Sequence, residues 1–398
     1  MIIYSPTLFI EVNNTELTFA VGDIHENNNF KIIYKSAVQI QVIENSRIAD
    51  FELILENLKK NIYLIEQKLN FIFNDAVLII NNFNCSFINI TGYKKLNGSQ
   101  ILKDNITYIL NSLKANVDET ENKKSILHIF NSKYILDKKE IKNLPIGLFG
   151  DFYSHELSFC LINNNDYKSL KSIFEKCNIK IKKIFLKSYV EGSYISKKNK
   201  DIETFFYIKI NENNSQIIYF ENDSLKFEEN FNFGTELVLK DISKITFLKI
   251  EAIKSFLNNF KSQDVILNDD LVEKEFFNNE NFRKIKKKII FDIAEARIEE
   301  LTEIMLHKNI NFKNMIKKNA SIFLKITDKD HSKCFIDKYS FFFSKNNNFS
   351  VKKEESFTID DLIKNTNQLA HYGWKKEAIP VIQLKKSTIA RFFDAIFG

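Results

Sequence analysis

TLFIEVNNTELTFAVGDI, residues 7–24, reads as two strands, Thr7–Val12 and Leu17–Ile24, folded about a tight turn at Asn13 and Asn14 and closing on Gly22 and Asp23. A third strand, Lys31 to Ile43, follows, then an amphipathic helix from Asp50 to Leu69 and a buried strand from Ala76 to Asn81. The order hairpin, strand, helix, strand predicts a mixed sheet covered by helices. The second half repeats this grammar. Strands are predicted at Thr204–Ile210, Gln216–Asn222 and Leu225–Phe231, with an Asn-rich turn after the first and helical segments beyond Gly234. Such a duplication predicts two similar domains facing each other across a cleft.

A smaller α+β unit is inserted from about Asn84 to Asn163, with a strand (Cys85–Thr91), a helix (Ser99–Leu113), a polar loop (Asn116–Lys124) and two strands (Ser125–Leu136, Gly150–Leu161). Leu144-Pro145-Ile146-Gly147-Leu148-Phe149-Gly150 concentrates the local turn chemistry. Helices are expected at Tyr167–Cys177 and Leu186–Ile195, and a helical region from Ile250 to Lys308 interrupts the second domain. Its centre, Ile289–His307, is rich in Glu and carries Arg297.

At 398 residues the chain is long enough for two or more domains. Its longest apolar runs fall far short of the roughly 20 residues a spanning helix needs, and no signal peptide precedes the first strand, so a cytoplasmic protein is expected. The Lys excess behind the net charge of +6 accompanies a general bias to Asn, Ile, Lys and Phe, and is read as solvated faces without a nucleic-acid partner. Cys85, Cys160, Cys177 and Cys334 lack metal-ligand or CxxC spacing, and the six histidines have no i, i+4 partners, so no metal site is expected. No nucleophile, zinc or Walker motif occurs, and no catalytic residue is assigned.

The last fourteen residues, KKSTIARFFDAIFG, read as a short amphipathic helix. Ile389, Phe392, Phe393, Ile396 and Phe397 share one side, Arg391 and Asp394 point away, and Lys385 and Lys386 lie just upstream. A helix this short needs an apolar partner, either a bilayer surface or the protein's own core. Lys375–Leu384, with the helix-breaking Pro380, read as a tether and favour the bilayer.

Ile126-Leu127-His128-Ile129 through Tyr134-Ile135-Leu136-Asp137, then Asn143-Leu144-Pro145-Ile146-Gly147-Leu148-Phe149-Gly150, resemble the "LHVIPxxYxxD…KNPIGMxG" stretch of the FtsA family, actin-like proteins that tie the bacterial division ring to the membrane. Tyr167–Ile184 resembles the family's next helix and "CGLEVD", and Glu295-Ala296-Arg297 with Glu299, Glu300 and Leu301 resembles "EPRxxEL". Leu369-Ala370-His371-Tyr372-Gly373 resembles "GLLxYG", and the tail resembles the membrane-targeting helix. The matches run through most of the chain in the family's order.

The resemblance implies an α/β, actin-like two-domain fold of the Hsp70/actin ATPase type, with an inserted α+β SHS2-type subdomain and a C-terminal amphipathic helix. It implies subdomain 1A at 1–83 and 164–198, 1C at 84–163, 2A at 199–249 and 309–374, helical 2B at 250–308, a linker at 375–384 and the targeting helix at 385–398. The implied partners are the FtsZ C-terminal tail at Arg297 and Glu300, the inner-membrane surface, further copies in a filament, and later divisome proteins through 1C. The implied place is the cytoplasmic side of the inner membrane at the division site.

The family binds ATP and Mg²⁺, and departures cluster at its phosphate loops. D-I-G-T-T-K becomes Glu11-Val12-Asn13-Asn14-Thr15-Glu16, and D-I-G-G-G-T-T-D becomes Lys209-Ile210-Asn211-Glu212-Asn213-Asn214-Ser215-Gln216. A phosphate cradle needs closely approaching backbone N–H groups, which glycine permits, and Glu16 and Glu212 would repel a polyphosphate. "LTGG" is likewise lost at Leu324-Lys325-Ile326-Thr327. The expectation is an actin fold that binds ATP weakly or not at all and has lost ATP hydrolysis. An FtsA-like pilus-assembly protein of the PilM type and a residual actin-like ATPase are the alternatives.

Overall fold

The computed structural model describes residues 6–25, 29–44, 46–259, 269–277, 281–312, 320–327, 332–345, 349–354 and 357–380. The chain divides into two compact units, unit 1 within residues 1–200, 221–227 and 358–398, and unit 2 within 201–220 and 228–357.

Unit 1 opens with β1 (Thr7–Val12), β2 (Glu16–His25), β3 (Asn29–Gln39), the short pair β4 (Ile43–Glu44) and β5 (Arg47–Ile48), helix α1 (Phe51–Leu69) and β6 (Asp75–Ile80). Asp50 caps α1 by accepting the Leu53 N–H at 3.0 Å, and Asn70, left-handed at φ 49°, ends it. Ile54, Leu55, Leu58, Ile62 and Ile65 form its buried stripe. Strand β6 is buried along Ala76–Ile80, as expected of an inner parallel strand covered on both faces.

The insert follows as β7 (Cys85–Lys95), α2 (Lys103–Thr120), β8 (Lys124–Leu136), β9 (Lys139–Ile141) and β10 (Phe152–Asn163). Strand β10 pairs antiparallel with both β7 and β8. Ile106, Ile109, Leu110 and Val117 of α2 pack onto one face of this sheet. The helix starts later and ends later than the sequence predicts. Residues 99–102 bridge to the Pro145 loop instead of entering the helix, and the polar run after Asn116 is the solvated face of a turn whose Val117 is fully buried. Then come α3 (Asn164–Lys176), β11 (Lys180–Leu186) and α4 (Lys187–Lys198).

The chain continues with β12 (Phe205–Ile210), β13 (Ser215–Glu221), β14 (Ser224–Phe231), α5 (Thr235–Thr246), α6 (Ile250–Asn259), α7 (Lys287–Thr302), β15 (Ser321–Ile326), α8 (Ser332–Lys345) and β16 (Ser350–Lys353), which lie in unit 2 except for residues 221–227. The first sheet has the order β11-β6-β1-β2-β3, with β1 antiparallel to β2 and parallel to β6, and β6 parallel to β11. The second runs β16-β15-β12-β13-β14, with β12 antiparallel to β13 and parallel to β15, and β15 parallel to β16. The same five-stranded sheet is thus built twice, the duplication the sequence predicts.

The chain ends its described part with α9 (Ile359–Tyr372) and β17 (Glu377–Pro380). A Thr358–Asp361 capping box starts α9 and Gly373, at φ 72°, ends it. Strand β17 pairs antiparallel with β8, placing Glu377 opposite Phe130 and Pro380 opposite His128. The tether predicted over 375–384 needs correction here, because its first half is an edge strand of the inserted sheet. Pro380 is compatible with that position, since an edge strand has one side on which no ladder N–H is required. The predicted terminal helix, with Lys385, Lys386, Ile389, Arg391, Phe392, Phe393, Ile396 and Phe397, lies outside the described residues.

Candidate functional site

The first phosphate-loop equivalent is the β1–β2 turn. The Asn13 N–H donates to the Glu16 carbonyl at 3.0 Å, and the Asn14 carbonyl accepts from Val42 and Ile43 at 2.7 and 3.1 Å. Neither Asn13, Asn14 nor Thr15 has a positive φ, so the turn closes without the left-handed angle that glycine or asparagine would supply. The Asn13 side chain donates to Glu11 Oε1 at 2.8 Å and accepts from Asn81 at 3.0 Å. Glu11 is buried, and the Lys187 ammonium reaches the same Oε1 at 2.6 Å. Burial alone would pull the Lys187 pKa down, but the carboxylates of Glu11, Glu191 and Glu16 outweigh it and hold the group above the ordinary lysine value.

The second equivalent is the β12–β13 turn of unit 2. Asn211 N–H donates to the Asn214 carbonyl at 2.8 Å, and Thr327 Oγ1 donates to Asn211 Oδ1 at 2.6 Å. The N-terminal amides of α5, Thr235 and Glu236, donate to the carbonyls of Asn211 and Glu212 at 3.0 and 2.9 Å. Gly234 allows this approach, because a Cβ there would lie 2.1 Å from the Asn211 carbonyl oxygen. Ser215 Oγ is turned to the Phe233 carbonyl at 2.8 Å, Asn213 is exposed, and Glu212 pairs with Lys254 at 3.0 Å. The amides that open a helix are the usual donors to a phosphate, and here loop carbonyls take them. The first two amides of α5 are therefore already occupied, and the loop beside them carries no glycine.

Arg297, on α7, bonds through Nε to Asp241 of α5 and through an NH group to Glu300, one helical turn on. The pair with Glu300 follows from i, i+3 spacing, whereas Asp241 is 56 residues away and no local pattern announces it. Glu295 and Glu299 of α7 pair with Lys338 and Lys345 of α8. The Glu-rich helix is therefore braced on both sides, with Ile290, Ala294, Ile298 and Leu301 buried beneath.

In the insert, the Leu144–Gly150 segment is a pinned loop. Ile101 N–H donates to the Leu148 carbonyl at 2.8 Å, Gly147 N–H to the Ile101 carbonyl at 2.9 Å, and Asp137 accepts the amides of Asp151 and Phe152 at 2.9 and 2.8 Å. It holds Leu144, Ile146, Leu148 and Phe149 exposed.

Sequence reading did not find Lys187 or Asp241. Lys187 left no distinctive signal, because Lys103 and Lys287 also open helices and the helix dipole only mildly disfavours a cation there.

No protein-family model matches the chain. Curated relatives include three proteins named "Cell division protein FtsA" from Buchnera aphidicola. That of the subspecies from Acyrthosiphon pisum is 20% identical over 98% of this chain and 94% of its own length. That from Schizaphis graminum is 22% identical over 74% and 71%, and that from Baizongia pistaciae 24% identical over 79% and 74%. Among solved structures, the PilM-PilN type IV pilus biogenesis complex superposes with a TM-score of 0.51 at 8% identity, covering 92% of this chain and 95% of that one. The fold is actin-like, and the sequence is similar to FtsA from end to end.

Proposed function

We propose that the chain is a cell-division adaptor of the FtsA type, working on the cytoplasmic surface of the inner membrane at the division site. Similarity to an FtsA over 98% of the chain is the observation that carries this reading. The twice-built sheet supports it at the level of fold. In this reading the helical part of unit 2 around Arg297 and Glu300 takes the FtsZ C-terminal tail, and the segment 385–398 lies on the bilayer. A single short amphipathic segment is a weak anchor, so recruitment depends on several copies held together along a filament. Later divisome proteins are assigned to the insert.

Nucleotide plays no part in this reading. Asn13 and Asn211 donate their amides within their own turns, the first two α5 amides are taken by the carbonyls of Asn211 and Glu212, and Glu11 is paired with Lys187, all of which support this reading. The body is an actin fold that neither binds nor hydrolyses ATP. A pilus-assembly role of the PilM type is disfavoured, because the likeness to that complex is one of fold at 8% identity whereas the likeness to FtsA is in sequence. Co-sedimentation with FtsZ filaments tests the proposal. The protein is expected to pellet with full-length FtsZ and to stay in the supernatant with FtsZ lacking its C-terminal peptide. Equal pelleting with both, or none with either, refutes it.

A further inference from the structure

We propose that the loop 144–149 at the end of the inserted sheet is a second membrane contact, setting its apolar side chains into the interface of an anionic bilayer while the lysines around it meet the headgroups. The run Leu144-Pro145-Ile146-Gly147-Leu148-Phe149 carries no charge. Leu144, Ile146, Leu148 and Phe149 are 42, 49, 45 and 69% exposed, four large apolar side chains within six residues, where a surface normally scatters them singly. They are held outward. Pro145 and Ile101 are buried, the Gln100 side chain donates to the Gly147 carbonyl at 2.8 Å, and Gly147 takes a left-handed φ of 90°. With the backbone already fixed against residues 99–102, docking these side chains costs little further ordering. Phe152, three residues after the loop, stacks on Tyr93 with ring centroids 5.5 Å apart, and both rings are exposed.

The charge around this tip is mainly basic. Lys95, Lys103, Lys138, Lys139 and Lys142 are exposed at this end of the insert. Lys95 registers with Phe152, and Lys138 and Lys139 carry the turn from β8 into β9. The acids of the same end are Asp104, Asp137, Glu140 and Asp151. Asp137 accepts the amides of Asp151 and Phe152, and Glu140 accepts from the Asn222 side chain at 2.9 Å. An apolar tip with a basic surround complements an anionic lipid surface, whose interior takes any apolar shape and whose headgroups attract lysine within a Debye length. A protein partner would instead need a surface shaped to all four side chains at once.

This contact goes beyond the one proposed for 385–398 and does not depend on it. Strand β17 runs antiparallel to β8, so its last residue, Pro380, registers with His128 near the start of β8, whereas the loop follows the far end of the same strand. Contacts leaving opposite ends of β8 lay the strands of the insert along the bilayer. Two weak contacts on one body also reinforce each other, because engagement of the first raises the effective concentration of the second.

The test uses the full chain with vesicles of phosphatidylcholine alone or mixed with phosphatidylglycerol. Phe149→Trp places a fluorophore on the loop, read against the wild type, whose Trp374 is buried. Its emission should shift to the blue on the anionic vesicles and be quenched by lipids brominated in the acyl chain. Phe149→Asp should bind those vesicles about tenfold more weakly at an unchanged melting temperature. Lys138→Glu/Lys139→Glu should also bind more weakly, with the deficit shrinking in salt. An unshifted, unquenched emission of Phe149→Trp overturns the proposal, as does wild-type vesicle binding by either of the other variants, and the tip then belongs to a protein partner. Quenching with Phe393→Asp binding as tightly as wild type would refute the tail contact alone. Loss of binding in Phe393→Asp, with Phe149→Trp unquenched on vesicles, would refute the loop contact alone.

Discussion

His128 Nδ1 and Glu377 Oε1 lie 2.9 Å apart, almost completely buried, although 249 residues separate them. The pair fastens β17 to β8. Tyr189 of α4 adds its hydroxyl to the other carboxylate oxygen at 3.3 Å, and burial together with Glu377 raises that hydroxyl's pKa well above the usual tyrosine value, so it stays a donor. The segment that leads to the C-terminal tail is therefore anchored by a buried polar contact as well as by backbone pairing.

Glu377→Ala should cost about 1–3 kcal/mol, because it leaves a buried imidazole nitrogen without its partner. Hydrogen exchange should quicken at the β17 amides and at Asn131, whose N–H donates to the Lys376 carbonyl. Protection unchanged from wild type would show that the pair does not hold the strand.

His155 gives the insert a sensitivity to acid. It is fully buried in β10, beside Tyr134 and Tyr153, and among the described residues neither ring nitrogen has a hydrogen-bond partner. Burial, with the Lys376 charge nearby, lowers its pKa from 6.5 to about 4. The unfolded chain binds this proton first as pH falls, so the stabilising contribution is complete above pH 6.5 and is lost between there and about 4. The total is about 3 kcal/mol. His155→Leu should flatten that part of the urea-denaturation stability profile, and an unaltered slope would contradict the assignment.

Gly234 should tolerate no larger residue. A Cβ there would meet the carbonyl oxygens of Asn211 and Glu212 at 2.1 and 2.5 Å, and backbone atoms cannot swing aside as a side chain can. Gly234→Ala is expected to cost about 1–3 kcal/mol, measured by urea denaturation. A neutral result would mean that the turn and α5 separate at little cost.

Arg297 should contribute to binding of the FtsZ tail through its guanidinium. Arg297→Ala is expected to weaken a labelled FtsZ C-terminal peptide by about 1–3 kcal/mol in fluorescence anisotropy. Asp241→Asn removes an internal competitor for the same donors and should bind the peptide at least as tightly as wild type. Equal weakening by both variants would assign the Arg297–Asp241 pair to structure alone.

Membrane attachment should depend on the apolar face of 385–398. Phe392→Asp or Phe393→Asp removes about 1.5–3 kcal/mol of burial and adds a charge to be desolvated, so either should abolish flotation with anionic liposomes. Arg391→Glu should weaken flotation modestly, with the deficit shrinking in salt. The melting temperature should hold in all three. A lowered melting temperature, with no flotation of the wild type, would place this segment on the protein's own core.

Local and repeated features were legible in the chain. The hairpin at Thr7–Ile24 and its echo at Thr204–Asn222 announced two sheets because strand residues buried on both faces are written as dense apolar runs between turn residues, a pattern that needs no knowledge of the partner strand. The loss of the phosphate-loop glycines was equally plain, as was the Arg297–Glu300 pair, fixed by helix geometry alone. The sequence placed the start of α2 about one turn early and its end about two turns early, since its solvated face and a polar loop have the same composition.

Tertiary structure decided everything that joins distant residues. That Lys187 neutralises Glu11, that Glu377 finds His128 and that 377–380 is a strand and not a tether are facts of strand order and register, and that Asp241 takes Arg297 is a fact of helix packing. An edge strand of four residues carries too little pattern to distinguish itself from a linker, and an ion pair leaves no periodic trace when its members lie on different elements. Lys187 meets Glu11 because parallel pairing brings the ends of β1 and β11 together, Glu377 meets His128 through antiparallel pairing, and Asp241 meets Arg297 through helix packing, none of which is set by local sequence.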